Sequence, residues 1–414
     1  MVDISIERIK QHINALRLIG QDATGGITRL SYSTEYRQGQ ALIRNYMEQA
    51  GMSVRMDGIG NLIGAYNGIN PQLAPIMTGS HLDTVPGGGA LDGALGIIAA
   101  IECIHSWHHA GWRPERTVQV AAMIEEEGTR FGLACFGSRA LAGEFSVARQ
   151  AELVDGAGQP LADLLAQLGL NREISIADHD DPRQLHCFVE LHVEQGIELE
   201  QAGLPVGIVT AIVGIDRIGV TLRGEANHAG TTRMDRRKDA LVAAADLIKY
   251  VHDSALAAKS EYVATVGKLD VSPNAENVIP REVRLTIEIR AAASLVIDRV
   301  RQDIMRFLTD YEQANGIAMA ITKHNQIPPV PMDDKLVGLC CQAAEELTLP
   351  YCKMPSWAGH DAMVFAKLIP TAMIFAPSTG GISHSSAEAS DWDAVAKAAQ
   401  VLNRTLQKLG RGVD

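Results

Sequence analysis

Apolar residues recur along this chain with two different periods, and the change between them divides it. Ile6, Ile9, Ile13 and Leu16 fall on one helical face, and residues 34–51 repeat that spacing, so two amphipathic helices are expected first. Residues 53–66 read as a strand pair broken by Gly58 and Gly60, and 75–80 as a short apolar strand ending just before His81. A helix over 94–109 comes next. A continuous apolar strand over 117–124 then runs into Glu125-Glu126-Glu127. Strand, helix, strand with polar residues at the carboxyl ends is the α/β pattern, in which ligands gather outside those ends.

A different rhythm begins near Val213. An alternating strand over 215–223 leads to a helix over 235–257 and a strand over 262–271. A second alternating strand over 282–290, a helix over 294–314 and a strand over 318–324 complete the segment. The order β-α-β-β-α-β predicts a ferredoxin-like α+β domain inserted at 213–329. Pro328, Pro329 and Pro331 mark the return to the first domain, which finishes with helices and an apolar strand over 371–376. The expected organisation is therefore an α/β catalytic domain built from 1–212 and 330–414 around that insert. A length of 414 residues agrees, since one hydrophobic core seldom serves so many.

Composition narrows the function. Net charge is −12, which argues against a general nucleic-acid binder. No run approaches a membrane span, and the first residues lack the apolar core of a signal peptide. Six cysteines with no C-x-x-C spacing are the usage of a reducing compartment, so a cytoplasmic location is expected.

Candidate chemistry lies at the strand ends. His81 is a credible metal ligand, and Asp83 can accept its other ring N–H. Asp92 follows a turn of three glycines (Gly87, Gly88, Gly89) that lets the backbone fold back, so its two oxygens can bridge a pair of ions about 3.5–4 Å apart. Adjacent side chains at a strand end point opposite ways, which divides the acidic triplet. Glu127 is read as a ligand, Glu126 as the general base and Glu125 as a structural residue. Each piece alone has a bland reading, because H-x-D is common by chance and acidic triplets usually end solvated strands. Their joint placement at strand ends and glycine-bounded loops favours chemistry. By contrast His105 and His109, four apart with no third ligand, read as a solvated helix end.

At these residues the chain resembles the M20 metallopeptidase superfamily, specifically its hydantoinase/carbamoylase branch. The motifs run end to end: Gly79-Ser80-His81-Leu82-Asp83, Leu91-Asp92-Gly93, Glu125-Glu126-Glu127-Gly128, Glu190-Leu191-His192-Val193-Glu194-Gln195-Gly196, Asn227-His228-Ala229-Gly230, Gly359-His360-Asp361-Ala362 and Ser383-His384. The resemblance implies an M20-type di-metal catalytic domain with an inserted lid and dimerisation domain. His81, Asp92 and His192 would hold one divalent ion and Asp92, Glu127 and His384 the other, with Glu126 as base. Zinc, manganese, cobalt or nickel would suit such donors. A homodimer through the insert is implied too, with His228, Asn277 and Arg290 reaching substrate, His228 from the partner subunit. Gln195 matches a substrate-facing position, and His360 is expected to line the site.

The implied activity is hydrolysis of a linear ureido or carbamoyl C–N bond, foremost in an N-carbamoyl-L-amino acid. Allantoate or ureidoglycolate hydrolysis is the alternative, ahead of a dipeptidase or a catalytically silent binding relative. His192 argues against the dipeptidase, since relatives in the superfamily often carry a carboxylate there. Allantoate-specific relatives carry arginine where this chain has Asp216, so Asp216 is expected to meet a neutral or cationic part of the substrate.

Overall fold

The computed structural model describes residues 2–144, 152–170 and 181–411; the other parts of the expected domains, at 1, 145–151, 171–180 and 412–414, lie outside the described residues. Two compact units are present, Met1–Thr210 with Met332–Asp414 and Ala211–Pro331. The first unit opens with α1 (Ile6–Arg17), α2 (Thr34–Gln49), β1 (Ser53–Met56), β2 (Leu62–Tyr66), β3 (Ile76–His81), α3 (Ala94–His109), β4 (Val118–Met123), α4 (Phe136–Leu141) and α5 (Leu161–Gln167). It continues with β5 (Cys187–Val193), α6 (Glu198–Ala202) and β6 (Val206–Ile212). The second unit holds β7 (Gly214–Arg223), α7 (Ala240–Ala257), β8 (Tyr262–Ser272), β9 (Glu282–Ala291), α8 (Ser294–Asn315), β10 (Ala318–Ile327) and β11 (Val330–Pro331). The chain closes with α9 (Asp334–Glu346), β12 (Tyr351–Ser356), α10 (Ala362–Phe365), β13 (Thr371–Ala376) and α11 (Trp392–Gly410).

The large sheet has the order β1-β2-β4-β3-β5-β13-β6-β11, with β12 also beside β6. Its centre, β4-β3-β5-β13, is parallel. Strands β3, β5 and β13 are buried at every residue, which explains why β3 and β13 do not read as alternating strands. Helix α3 is apolar nearly all round and buries thirteen of its sixteen residues, as a helix pressed between layers must. Helices α1 and α2 start where Ser5 and Ser33 accept the backbone N–H groups of Arg8 and Tyr36.

The second unit has a four-stranded antiparallel sheet in the order β10-β7-β9-β8, the ferredoxin-like arrangement. Ile218, Val220, Leu222, Val283, Leu285, Ile287 and Ile289 point to one face and form a core with Leu247 of α7 and Ile304 of α8. The alternating residues Arg217, Glu288 and Arg290 occupy the other face. Helix α7 begins five residues later than its pattern suggested. Asp239 caps Leu241 and Val242 there, and Met234–Arg236 forms a separate 3-10 turn. Strand β10 extends to Ile327 because it pairs with β7 along that whole length.

Candidate active site

The parallel strands of the first unit deliver the site. His81 is the last residue of β3 and pairs in register with Met123 of β4, whose chain continues into the glutamates. His192 pairs with Phe375 of β13, whose chain continues to His384. Asp92 stands just before α3. Gly93, between them, has φ 63°, and a Cβ there would lie 2.5 Å from the His81 carbonyl oxygen and 2.6 Å from its ring. Glycine is thus required for Asp92 to reach His81.

The two oxygens of Asp92 face different imidazoles. Oδ1 lies 3.5 Å from His81 Nε2 and 3.2 Å from His192 Nε2, and Oδ2 lies 3.1 Å from His384 Nε2. Glu127 Oε1 is 3.3 Å from His384 Nε2. Two sets of donors therefore converge on Asp92, with His81 and His192 on one side and Glu127 and His384 on the other, each within 4.8 Å, and Glu190, His192 and His360 form a further buried group behind them. The ring orientations agree with ligation. His81 Nδ1 is 3.0 Å from the Asp83 carbonyl and His192 Nδ1 is 2.9 Å from the Val193 carbonyl, which holds both rings with Nε2 facing Asp92, and the Gly93 N–H also lies 3.2 Å from His192 Nε2. Burial raises the pKa of Asp92, but hydrogen bonds from His192, His384 and His81 outweigh it and hold the carboxyl well below its ordinary range. These residues fit divalent cations, since imidazole and carboxylate donors that converge around a shared carboxylate suit zinc, manganese, cobalt or nickel.

The orienting role expected of the Asp83 carboxylate falls elsewhere. The His81 ring is held by the Asp83 backbone carbonyl, and the carboxylate accepts the N–H groups of Glu126 at 3.1 Å and Glu127 at 3.2 Å. The reason is that β4 ends at Met123, and the turn beyond it leaves buried N–H groups needing an acceptor. Glu125 takes φ 56° in that turn, and its carboxylate accepts the N–H groups of Arg130 and Phe131 at 2.8 Å. The triplet is thus separated by a turn, not by strand alternation. Glu126 Oε2 lies 3.9 Å from His81 Nε2. Burial pushes the Glu126 carboxyl well above its ordinary pKa against the opposing pull of His81, and burial raises Glu127 as well.

Gln195 reaches Asp92 Oδ2 at 3.0 Å and Ser383 Oγ at 3.3 Å through its amide nitrogen. Glu125, Cys135, Gln195 and His384 all have left-handed backbone conformations without being glycine. Such strain gathers where side-chain placement matters. His360 does not line an open site. It is 1% exposed, packs against His192 with ring centroids 4.5 Å apart and planes tilted by 60°, and bonds Ser356 Oγ at 2.9 Å. Its imidazole packs behind a ligand because the surrounding apolar strands leave it no solvent.

No role is expected of Glu388, nor of Glu190, although Glu190 opens one of the motifs above. Glu388 Oε1 accepts the N–H groups of Leu91 at 2.7 Å and Asp92 at 3.1 Å, while Ser383 bonds Oε2 at 3.0 Å. One carboxylate therefore ties the Asp92 loop to the His384 loop. Glu190 is buried beside His192, accepting Ser80 Oγ at 2.7 Å and the Ala362 N–H at 3.0 Å. The available signal was a glutamate in the middle of an apolar strand, an expensive placement unless it is bonded on all sides.

In the second unit, Asp216 is fully buried on the helix-facing side of β7. Its carboxylate lies 2.9 Å from Arg301 Nη1 and 2.8 Å from His324 Nε2. The expectation that it meets substrate is corrected, because its charge is already compensated inside the unit. Arg290 lies 2.8 Å from Glu288 Oε1. His228 and Asn277 are exposed, and their loops are joined by the His228–Val278 bridge and by the Ala229 N–H donating to the Asn277 carbonyl at 2.9 Å. The His228 ring accepts the Gly230 N–H through Nδ1 at 2.9 Å.

Residues 77–408 match the model of peptidase family M20/M25/M40. An N-carbamoyl-L-amino acid amidohydrolase of Geobacillus stearothermophilus is 36% identical over 98% of this chain and 99% of its own length. An allantoate amidohydrolase of Bacillus subtilis is 36% identical over 92% of both chains. The crystal structure of a hydantoinase/carbamoylase family amidase from Burkholderia ambifaria superposes with a TM-score of 0.91 at 30% identity, covering 100% of this chain and 99% of that one.

Proposed function

The chain belongs to peptidase family M20/M25/M40, and from that premise we propose that it is a metal-dependent amidohydrolase of linear ureido or carbamoyl compounds, with N-carbamoyl-L-amino acids as substrate. The observation that carries the reading is Asp92, whose two oxygens face His81 and His192 on one side and His384 on the other. His81, Asp92 and His192 would hold one divalent ion, and Asp92, Glu127 and His384 a second. Bound there, such ions polarise a carbonyl and acidify a water.

The residues of the chain do the rest. Glu126 accepts a proton from the attacking water at Oε2 and returns it to the leaving nitrogen. Its raised pKa suits a group that must hold a proton between those steps. Asp83 fixes the backbone of Glu126 and Glu127, and Glu388 fixes that of Asp92. His228, Asn277 and Arg290 are proposed to contact the oxyanion and carboxylate of the substrate within a homodimer formed through the second unit. An N-carbamoyl amino acid and one water yield the amino acid, carbon dioxide and ammonia. No described helix is long and apolar enough to cross a membrane. The described cysteines are all free thiols, in keeping with a reducing, cytoplasmic setting.

Allantoate is the second reading. The objection raised by Asp216 falls away once that residue is paired with Arg301, and an allantoate hydrolase stands at the same identity as the carbamoylase. The test is ammonia release from N-carbamoyl amino acids, allantoate and ureidoglycolate by chelated protein, before and after adding manganese, cobalt or zinc. Release from N-carbamoyl amino acids only with metal supports the proposal. Cleavage of dipeptides with no ammonia from any ureido compound would sink it. Glu126→Gln should lose about 10³-fold in kcat while keeping its metal.

A further inference from the structure

Cys135 is a buried thiol beside the catalytic glutamate that the mechanism above does not use. It is 2% exposed, and its Sγ lies 3.5 Å from Glu126 Oε1. The Cys135 backbone N–H donates to the Glu126 carbonyl at 2.8 Å. The N–H groups of Phe136 and Gly137 donate to the carbonyls of Glu125 and Ile124 at 3.0 and 2.8 Å, so residues 135–137 are zipped onto 124–126. This arrangement holds Cys135 at φ 56° and ψ 35°, the left-handed region that a residue with a Cβ rarely adopts. A side chain is kept at a position that glycine would fill with less strain, and its sulfur faces the base.

Among the described residues the thiol is the one hydrogen-bond donor to the Glu126 carboxylate. Burial, together with the negative charges of Glu126 and Asp361, pushes the thiol pKa well above its ordinary value, so the sulfur keeps its proton. A donor to a charged acceptor is stronger than the same donor to a neutral one. With Oε1 turned to the thiol, Oε2 is the oxygen directed toward His81 Nε2, at 3.9 Å.

We propose that Cys135 is a positioning residue for the hydrolytic step: its S–H holds Oε1 of Glu126, so that Oε2 is the oxygen presented to the attacking water. The proposal rests on the reading of Glu126 as the proton acceptor. It concerns neither metal binding nor substrate affinity, and this separates it from a packing role.

The test compares Cys135→Ala with Cys135→Ser in the metal-loaded, full-length enzyme. Both keep the Cβ and hence the same backbone penalty, but only serine keeps a donor. Alanine should lower kcat about tenfold, with KM and bound metal changed less than about twofold, as expected for loss of one hydrogen bond to a charged group. Serine should restore at least about half of the lost rate. If packing alone mattered, the buried hydroxyl of serine would be no better than alanine, and that result would overturn the proposal. So would a kcat for Cys135→Ala within about threefold of the parent, or a fall in bound metal that accounts for the loss. Glu126→Gln is run alongside. Full activity in that variant would refute the reading of the base itself, whereas an inactive Glu126→Gln beside an undiminished Cys135→Ala would refute only the role of the thiol.

Discussion

The two units treat their charged residues in opposite ways. In the first, His81, His192, Asp83, Asp92 and Glu190 are each 5% exposed or less, and they meet one another or other buried polar groups. In the second, the charged residues on the open sheet face are partly exposed and pair with one another across or along the strands, as Arg217 and Arg290 do with Glu288 and Arg223 and Arg284 do with Glu282. Burying ionisable groups is costly unless each is bonded or bound to a cation. A fold that concentrates five of them behind one set of strand ends is therefore organised for chemistry. Exposed pairs on a sheet face carry no such cost and imply none.

The sharpest way to break this contrast is at its shared carboxylate. Asp92→Ala should empty both donor sets, with bound metal falling on elemental analysis and kcat lost by more than about 10³-fold. Retention of one metal with measurable turnover would mean that Asp92 is not shared. The same cluster sets a pH dependence. Burial disfavours the charged form of His81 and His192, yet Asp92 and the neighbouring carboxylates outweigh it and both pKa values are raised. In the metal-free protein, the stabilisation from these protonated imidazoles is complete below their unfolded value and is lost as pH rises through the raised ones. Ions compete with protons for the same Nε2 positions, so the increase in Tm on adding metal should widen over that window and shrink on acidification. An increase independent of pH would argue against imidazole ligation.

The exception in the second unit sharpens the comparison. Asp216 is as buried as any residue of the first site, but Arg301 and His324 compensate it. Arg301→Ala should cost about 3 kcal/mol of stability in denaturant unfolding, because it strips a buried carboxylate of its main partner. Bound metal should be unaffected. Smaller in free energy, His228→Ala should lower kcat about 10²-fold with Tm and metal content unchanged, the mark of an exposed donor that acts only on substrate. Unchanged turnover would leave His228 as a loop residue whose ring serves the Gly230 N–H.

Most of the fold was legible because each unit has its own period. The mostly buried strands β3, β4 and β13 and the alternating strands β7 and β9 announced themselves, and α3 matched its expected limits. Helix α7 did not, since the capping residue Asp239 lies inside what reads as one continuous helical pattern. The donors at the strand ends were legible for a similar reason: His81, Asp92 and the glutamates sit next to glycines or at the ends of apolar runs. Their supporting groups were not. Glu388 and Asp83 act by accepting backbone N–H groups, and such bonds depend on turn geometry that residue types alone do not encode. Asp216 misled because a lone acid in an alternating strand gives no hint that Arg301, on a helix 85 residues later, will meet it.

The weakest effect should come from the sheet face of the second unit. Arg217 sits directly opposite Glu288 in the β7–β9 register, 2.7 Å away, and its side chain is 43% exposed. Exposed pairs of this kind contribute about 0–1 kcal/mol, since water screens the attraction and ordering two long side chains costs entropy. Glu288 also keeps Arg290 as a second partner, so removal of Arg217 leaves no orphaned charge. Arg217→Ala should therefore change stability by less than about 1 kcal/mol, and less still at high salt. A larger loss, or one that salt does not diminish, would mean that this face is covered in the functional protein. The same variant would then report on subunit association, which sedimentation at increasing protein concentration measures directly.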